Sequence, residues 1–422
     1  MSFNRRLLGL RILLAVVVGV LVWTSGAWAQ NKFKTLHKFT DGHDGGNPVS
    51  GLVLDSAGNL YGTTVKCCGS GTAGVVFKLT PNPNGSWIEN TLYTFCSVTN
   101  CGDGSSPMSG VIFDAAGNLY GTTTDGGANH GRGVVFKLMP HPDGSWTESV
   151  LYTFCTGDCL DGSTPHGTLI FDHKGNLYGT TLLAGPHGGG TVFKLTPNSD
   201  GSWTQSVLYG FGGNDGNGPY DGVIFDAAGD LYGTTFFGGA NDLGVAFKLI
   251  LESDGSWKER VLHSFAGGAD GVYPFGGLVL DQSGNLYGTT QNGGNNQCSQ
   301  MGCGVVFEIS PQSGGGWKEK VLLSFDVRGG ARPFDTLIFD QAGNLYGTAQ
   351  LGGGGPCAPL GCGVVFKLVP NLKGGWNEKL LHVFLDHPGS QPLGNLVFDA
   401  AGNLYGTTSG YSTQGSVFEI MQ

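Results

Sequence analysis

The chain has 422 residues, of which 13% are charged and 77 are glycine, and its formal net charge at pH 7 is −10. This acidic balance makes nucleic acid a poor partner, because nucleic-acid binding depends on clustered basic residues. A glycine content this high is typical of disordered chains, but here the glycines recur at fixed places and therefore indicate turns.

The first 29 residues have the pattern of a cleavable secretory signal. Arg5, Arg6 and Arg11 precede the apolar run 12–23, and the small residues Ala27 and Ala29 form an A-x-A cleavage site. A membrane anchor is the alternative, but the apolar run is short for a span. Removing this segment removes basic residues and no acidic ones, so the mature chain is more acidic still.

A six-residue motif, Gly-Asn-Leu-Tyr-Gly-Thr, recurs along the rest of the chain at steps of 54 to 59 residues, with Asp230 once replacing the asparagine. Its copies begin at Gly58, Gly117, Gly175, Gly229, Gly284, Gly343 and Gly402. A regular period of this length indicates stacked or radially arranged units, none of which buries its apolar face alone.

Each repeat reads as four short strands. In the second repeat, residues 110–114 and 118–123 form a hairpin around an Asp-Ala-Ala-Gly turn, and the third and fourth strands follow at 133–138 and 146–154. The fourth strand alternates apolar and polar residues, which is the pattern of an exposed outer edge. Four-stranded units without helical periods favour a β-propeller over a solenoid.

The two ends of the chain complement each other. The last repeat stops at a third strand, 416–420, while residues 33–39 form a strand that belongs to no repeat and aligns with the fourth strand at 89–95. Pairing them closes a ring and removes an exposed sheet edge. The sequence therefore predicts an all-β fold: one domain over 30–422, a seven-bladed β-propeller with four-stranded blades, closed by the N-terminal strand.

Ten cysteines occur as pairs that are close in sequence. They are Cys67 with Cys68, Cys96 with Cys101, Cys155 with Cys159, Cys298 with Cys303, and Cys357 with Cys362. Behind a signal peptide, an even count indicates disulfides. Zinc is the competing interpretation, but most pairs lie in different repeats. Whether the adjacent Cys67 and Cys68 are bridged stays open at this point.

The repeat motifs F-D-x-x-G-N-L-Y-G-T-T, G-V-V-F-K-L and W-x-E-x-V-L-Y-x-F resemble the GloVer tandem repeat of exported bacterial proteins. The resemblance covers essentially the whole mature chain and implies repeat architecture without an assigned reaction. Many members carry a C-terminal sorting anchor, whereas this chain ends two residues past Ile420, so a released protein is expected. A looser similarity to NHL-type propellers, which include streptogramin lyases, leaves an enzymatic alternative.

Residues present in every repeat are expected to be structural, because one active site does not need seven copies. The motif tyrosines fill the packing between blades, as Tyr61 does in the first repeat. The recurrent tryptophans, such as Trp87, are likewise expected to be structural, and stacking on a sugar is their alternative role. The aspartates before each turn, such as Asp55, cap the backbone, and calcium ligation is a weaker alternative because no calcium-loop motif follows.

Departures from the repeat are more informative about a site. Asp221 and Asp335 stand where other repeats have Ser or Gly, just before inner strands near the mouth of the central channel, and Arg328, Asp386 and His387 alter the recurrent Asp-Gly-x-x-Pro loop. The candidate ligand-binding residues are Asp221, Asp335, His166, Arg332, Phe275 and Phe334. No nucleophile elbow, zincin helix or phosphate loop is present in the sequence, so no catalytic residue, metal or cofactor is predicted.

Three functional hypotheses remain. The leading one is a secreted or periplasmic monomeric scaffold that binds a small molecule, a glycan or a protein, without a nucleic-acid partner or a membrane span. The alternative is a lyase or glycan-active hydrolase at the channel mouth, which requires Asp221, Asp335, His166 and Arg332 to converge. A purely structural envelope protein is the third. Any partner is expected on the cysteine-bearing face, away from the turn at 140–145.

Overall fold

A computed structural model describes residues 32–69, 73–298, 300–355, 357, 359–385, 389–410 and 414–422, without the side chain of His130. The predicted signal peptide, 1–29, and the repeat departures Asp386 and His387 lie outside the described residues. Within the described residues, short 3₁₀ helices lie at Thr99–Cys101, Ala128–His130 and Gly268–Asp270.

The strands in chain order are β1 (Lys32–Lys38), β2 (Val53–Leu54), β3 (Leu60–Thr64), β4 (Val75–Pro81), β5 (Trp87–Thr94), β6 (Ile112–Phe113), β7 (Leu119–Thr123), β8 (Val134–Pro140), β9 (Trp146–Thr153), β10 (Ser163–Pro165), β11 (Ile170–Phe171), β12 (Leu177–Leu183), β13 (Thr191–Pro197), β14 (Trp203–Gly210), β15 (Ile224–Phe225), β16 (Leu231–Thr235), β17 (Val245–Leu251), β18 (Trp257–Ser264), β19 (Val279–Leu280), β20 (Leu286–Thr290), β21 (Val305–Pro311), β22 (Trp317–Ser324), β23 (Ile338–Phe339), β24 (Leu345–Ala349), β25 (Val364–Pro370), β26 (Trp376–Val383), β27 (Val397–Phe398), β28 (Leu404–Thr408) and β29 (Ser416–Met421).

The strands form seven separate antiparallel sheets. From inner to outer strand, blade 1 is β2 to β5, blade 2 is β6 to β9, blade 3 is β11 to β14, blade 4 is β15 to β18, blade 5 is β19 to β22, blade 6 is β23 to β26, and blade 7 is β27, β28, β29 and β1. In blade 3, β10 also pairs with β12. The predicted all-β, seven-bladed propeller with four-stranded blades is confirmed.

Strand β1 completes blade 7 and closes the ring, as predicted from the unpaired N-terminal strand. It runs antiparallel to β29, with Phe33 opposite Ile420. The register shifts at Thr35/His37, as it does between the third and fourth strands of blade 1 at Val76/Phe77. Because β1 reproduces the irregularity of a fourth strand, it occupies the fourth position of the blade.

The cores lie between blades, where the repeated aromatic residues meet. In the first interface the Tyr61 ring contacts the Phe113 ring edge-on at 5.0 Å and the Trp146 ring at 6.5 Å, both from blade 2. The same pattern follows at the next interface, where Tyr120 contacts Phe171. Edge-to-face aromatic contacts at these distances favour packing of one blade on the next.

The repeated aspartates cap the hairpin turns, as expected. Asp55 Oδ1 accepts hydrogen bonds from the backbone N–H groups of Ala57 and Asn59, and Oδ2 accepts from the Asn59 amide at 2.6 Å and the Tyr61 hydroxyl at 3.0 Å. Burial works to raise the pKa of Asp55, but these hydrogen bonds hold it below the usual value. A carboxylate with this many donors is a structural cap.

The four cysteine pairs predicted as disulfides are bonded, and so are the adjacent Cys67 and Cys68, whose bridging the sequence left open. Disulfides of this number are typical of proteins in an oxidising compartment. No helix among the described residues has the length and apolarity needed to cross a membrane.

Candidate functional site

The channel mouth is built from equivalent segments of all seven blades. Each segment begins at a proline, such as Pro48 or Pro333, and its next three residues lead into the inner strand. The residues directly after the prolines are Val49, Met108, His166, Tyr220, Phe275, Phe334 and Leu393, and all of them line one cavity of about 170 Å³. This channel-mouth cavity is therefore the place where the seven repeats differ from one another around a common axis.

Glycines behind this ring let the inner segments approach one another closely. A Cβ on Gly167 of blade 3 would collide with the backbone of Gly222 of blade 4, and a Cβ on Gly394 of blade 7 would collide with Ser50 of blade 1. At these two positions only glycine fits, because the obstacle is backbone. Because the inner segments lie this close to one another, the cavity that they surround is small.

One side of the channel-mouth cavity is aromatic. The Phe275 and Phe334 rings stack with centroids 4.4 Å apart, and the Tyr220 ring meets Phe275 edge-on at 4.6 Å. His166 lies 3.9 Å from the Tyr220 ring. The opposite side is formed by the aliphatic residues Val49, Met108 and Leu393.

Asp221 joins three blades at the edge of the cavity. Its Oδ2 accepts hydrogen bonds from the Thr336 hydroxyl at 2.6 Å and from the Gly277 backbone N–H at 2.8 Å. Its Oδ1 accepts from the Gly222 backbone N–H at 2.7 Å. Both oxygens are thus held by donors of blades 4, 5 and 6.

Asp335 has one satisfied and one unsatisfied carboxyl oxygen. Oδ1 accepts from the Thr336 backbone N–H at 2.8 Å. Oδ2 is buried and has no hydrogen-bond partner among the described groups. Burial, together with the negative charge of Asp221, raises the pKa of Asp335 well above its usual value. The environment therefore favours the protonated, uncharged form of this side chain.

His166 carries the second unsatisfied atom of the cavity. Its Nε2 is buried and has no partner among the described groups. Burial lowers the pKa of His166 to about 4, against the opposing effect of the Asp221 charge, so the imidazole is neutral near pH 7. Buried polar atoms without a partner are costly, and each one in a folded protein calls for an explanation.

The structure brings together five of the six residues predicted as ligand-binding: Asp221, Asp335, His166, Phe275 and Phe334. Arg332 does not line the cavity. Its backbone N–H donates to the Cys303 carbonyl at 2.8 Å, and its carbonyl accepts from the Gln350 N–H at 3.0 Å. Three of the four residues named for the lyase or hydrolase hypothesis, His166, Asp221 and Asp335, therefore line the cavity, and Arg332 is not among its lining residues.

Sequence reasoning missed Tyr220, Thr336 and Asn395. Tyr220 occupies the position of Phe275 and Phe334 directly after the proline, so an alignment of the repeats identifies it as a third aromatic residue at the channel mouth. Thr336 and Asn395 stand where blades 1, 2, 4 and 5 have glycine, so the alignment marks both as departures, but it does not show that Thr336 bonds Asp221 in a different blade. Asn395 lines the cavity and accepts from the Thr336 N–H at 3.0 Å.

A larger groove of about 940 Å³ lies between blades 1 and 2, at the turns opposite the cysteine-bearing loops. Its lining includes Asp55, Tyr61, Phe113 and Trp146. These residues recur in the other blades and serve as turn caps and packing aromatics. We therefore assign this groove to the architecture, although it exceeds the channel-mouth cavity in volume.

Acid pairs lie between neighbouring blades at the outer strands. In each pair, burial first and then the charge of a nearby aspartate raise the pKa of a glutamate to about 7. The pairs are Glu89 with Asp44, Glu148 with Asp103, Glu259 with Asp215, Glu319 with Asp270, and Glu378 with Asp326. The fourth strand was expected to be an exposed edge, but its glutamate is half-buried in blades 1, 2, 4 and 5; Glu378 of blade 6 is exposed.

One acid pair adds a histidine, so that His263, Asp270 and Glu319 place possible metal-ligand atoms within 4.8 Å of one another. His263 contacts Asp270 at 2.9 Å. Tyr93 makes the equivalent contact with Asp103 at 2.8 Å in the interface between blades 1 and 2. Because tyrosine replaces histidine without loss of the contact, the cluster serves the architecture.

Comparison with solved structures gives distant matches. A luciferin-regenerating enzyme matches with 14% identity and a TM-score of 0.43, over 74% of this chain and 90% of its own. A protein from Thermus thermophilus assigned as a putative oxidoreductase (glucose dehydrogenase) matches with 16% identity and a TM-score of 0.45, over 93% of this chain and 100% of its own. With TM-scores below 0.5, neither likeness carries an argument about this chain.

No curated protein matches the sequence. The Gloeobacter/Verrucomicrobia repeat matches residues 22–170, 69–301, 133–357 and 261–422, which together span the propeller. This agrees with the repeat motifs and with the seven similar blades. The chain belongs to the Gloeobacter/Verrucomicrobia repeat family.

Proposed function

We propose that this protein is a secreted binding scaffold that holds a small ligand in the channel-mouth cavity without transforming it. The observation that carries the proposal is the pair of buried, unpartnered polar atoms on two cavity-lining side chains, His166 Nε2 and Asp335 Oδ2. A bound polar molecule satisfies such atoms, and binding pockets combine apolar walls with a few polar groups of this kind.

The distribution of repeated and non-repeated residues supports the same proposal. The repeated residues, such as Tyr61 and Asp55, build the blades and their turns. The residues that directly follow the seven prolines differ between blades and gather around one axis, where rigid strands position them. A rigid frame that presents a variable set of side chains is the usual organisation of a binding site on a repeat protein.

Export is part of the proposal. The N-terminal segment has the features of a signal peptide, which we expect to be removed after residue 29. The five bonded cysteine pairs support an oxidising destination, either the periplasm or the medium. We expect the mature protein to be a monomer, because β1 fills the fourth position of blade 7 and leaves no missing strand for a second copy to supply.

The enzymatic alternative has weaker support. Asp221 already accepts hydrogen bonds at both oxygens, so it is poorly placed as a free base or nucleophile. Asp335 favours its uncharged form, and Arg332 lies outside the cavity lining. Burial lowers the pKa of His166 to about 4, so its imidazole is a weak general base near pH 7.

The proposal is tested by a small-molecule screen that measures ligand-induced shifts in melting temperature. Two matched pairs of variants locate any binding: Asp335→Asn and His166→Gln in the cavity, and Asp143→Asn and His141→Gln in the turn at 140–145 on the opposite face. We expect hits whose affinity falls in the cavity variants and persists in the turn variants. Hits that depend on the turn, or none from a chemically diverse library, would contradict the proposal.

A further inference from the structure

We infer that the channel-mouth cavity selects a small protonated amine, whose ammonium group lies between the Asp335 and Asp221 carboxyl groups and the aromatic rings. This inference rests on the proposed function, since it names the ligand class of the same cavity. Four properties of the cavity support it: the sign of its charge, its unpartnered carboxyl oxygen, its aromatic wall and its size.

The lining contains two acidic side chains and no lysine or arginine among the described residues. Asp221 and Asp335 are close enough for the charge of the first to act on the second, and the one histidine is neutral near pH 7. An anionic ligand would have no cation to pair with and would face a carboxylate. The cavity therefore excludes phosphate and carboxylate ligands and favours a cation.

The unpartnered oxygen of Asp335 needs a hydrogen-bond donor once the side chain is ionised. Asp335 Oδ2 lacks a partner among the described groups, and in the carboxylate form that a bound cation favours it only accepts. Ser50, Ser109 and Thr168 are the hydroxyl-bearing members of the lining apart from Tyr220. An ammonium group supplies N–H donors together with a positive charge, and such charge-assisted hydrogen bonds are about twice as strong as neutral ones.

The aromatic wall suits the same group. Phe275, Phe334 and Tyr220 form a contiguous set of rings beside the two acids. Cations are attracted to ring faces, and this attraction grows where water is excluded. Acidic groups next to aromatic rings thus provide two independent forms of cation recognition in one place.

The cavity volume of about 170 Å³ limits the ligand to a few non-hydrogen atoms. Pockets for drug-sized molecules are roughly 300–1,000 Å³. The apolar residues Val49, Met108 and Leu393 lie opposite the acids and fit a short alkyl chain. A free alkylamine with a short, unbranched chain is small enough for this volume and has an apolar part that fits these residues.

Binding has a defined proton balance. Asp335 favours its protonated form in the empty cavity, and an ammonium ion favours the carboxylate. Entry of the cation therefore releases the Asp335 proton to solvent, so that affinity rises with pH while the amine stays protonated. The other titratable groups of the described lining are Asp221 from blade 4, His166 from blade 3 and Tyr220 from blade 4, and blades 1, 2, 5 and 7 contribute none.

The test is calorimetric titration of the purified protein with three probes of similar shape: butylamine, 1-butanol and butyrate. We expect butylamine to bind at least about tenfold more tightly than 1-butanol, a difference of about 1.4 kcal/mol, and butyrate to show no binding. Butylamine affinity should be higher at pH 8 than at pH 6. The Asp335→Asn variant should lose both the preference for the amine and the pH dependence, whereas Asp143→Asn keeps them.

The outcomes separate this inference from the proposed function. If 1-butanol binds as tightly as butylamine, the amine inference is wrong while binding in the cavity stands. If none of the three probes binds, the amine inference is also wrong, and the broader screen alone decides the proposed function. If Asp335→Asn does not fold, the comparison of probes and pH in the unaltered protein still gives the answer.

Discussion

The Thr336 hydroxyl donates a hydrogen bond of 2.6 Å to Asp221 Oδ2 and so links blade 6 to blade 4. The Gly277 backbone N–H of blade 5 donates to the same carboxylate oxygen and to the Thr336 hydroxyl, each at 2.8 Å. Three blades therefore meet at one half-buried carboxylate. This contact holds the aromatic side of the cavity in place before any ligand arrives.

Replacing Thr336 by valine should destabilise the protein by about 1 kcal/mol, because Asp221 Oδ2 loses its hydroxyl donor but keeps the Gly277 N–H. Thr336→Ser retains the hydroxyl and should lie close to the unaltered protein. Urea unfolding measures the free energy of unfolding of both variants. A valine variant as stable as the unaltered protein would mean that the contact contributes nothing to holding the blades together.

The acid pairs between blades predict a pH dependence of stability. The pKa of Glu148 is raised from 4.5 to about 7 by burial and by Asp103, so the folded protein keeps a proton that the unfolded chain releases above pH 4.5. Stability from this group is therefore lost as the pH rises through 7. Glu148→Gln should be more stable than the unaltered protein at pH 8, and this advantage should vanish near pH 4.

The chain supplies its own control for this prediction. Blade 3 has Gln205 at the position of Glu148, so Gln205→Glu should introduce the opposite effect and destabilise at pH 8. Because these side chains are half-exposed, solvent screening keeps each effect below about 1 kcal/mol. Thermal melts at pH 4 and pH 8 measure the differences. Equal stability differences at both pH values would refute the raised pKa.

Ring closure predicts that Phe33 stabilises the whole propeller. Its ring stacks on His382 at 3.8 Å and contacts Phe384 and Phe418. Phe→Ala in a core costs about 3–5 kcal/mol, so half-buried Phe33→Ala should cost roughly 2 kcal/mol. Ile88→Ala, at a side chain that is 50% exposed, is the control and should have little effect.

Deleting residues 30–39 is the more severe form of this test. It removes β1 and leaves β29 as an unpaired edge, which invites association with another chain. Melting and sedimentation should show lower stability or oligomers. A truncated protein that melts and sediments like the full mature chain would rule out closure by the N-terminal strand.

The bonded cysteine pairs predict a measurable contribution to stability. Cys298 and Cys303 enclose a small loop, which in the chain-entropy estimate contributes about 2 kcal/mol. The double variant Cys298→Ser/Cys303→Ser should unfold at correspondingly lower urea concentration. Peptide mapping without reduction should recover the five local pairs from exported protein. Free thiols at four of the pairs in that fraction would contradict an oxidised mature protein.

The sequence predicts the propeller well because its determinants are local and repeated. Each blade carries the same turn residues and the same apolar strands, and residues 33–39 stand out because they complete the last unit. The contacts between blades are harder to predict. Glu148 looks like an exposed edge residue, since the Asp103 loop that faces it is visible only in three dimensions.

The sequence predicts part of the candidate site. Asp221 and Asp335 could be identified because they interrupt a Ser or Gly position of the repeat, and the repeat alignment places that position near the axis. Arg332 also interrupts the repeat, but it lies one residue before Pro333, where the backbone pairs with Cys303 and Gln350. Position within a repeat does not show which way a side chain points.

The measurement that tests binding in the channel-mouth cavity most directly is a crystallographic screen in which crystals of the purified protein are soaked with small polar fragments. We expect fragments bound in the channel-mouth cavity, within hydrogen-bond distance of Asp335 Oδ2 or His166 Nε2 and against the Phe275 and Phe334 rings. Fragments that occupy the groove between blades 1 and 2 while the channel-mouth cavity stays empty would contradict it.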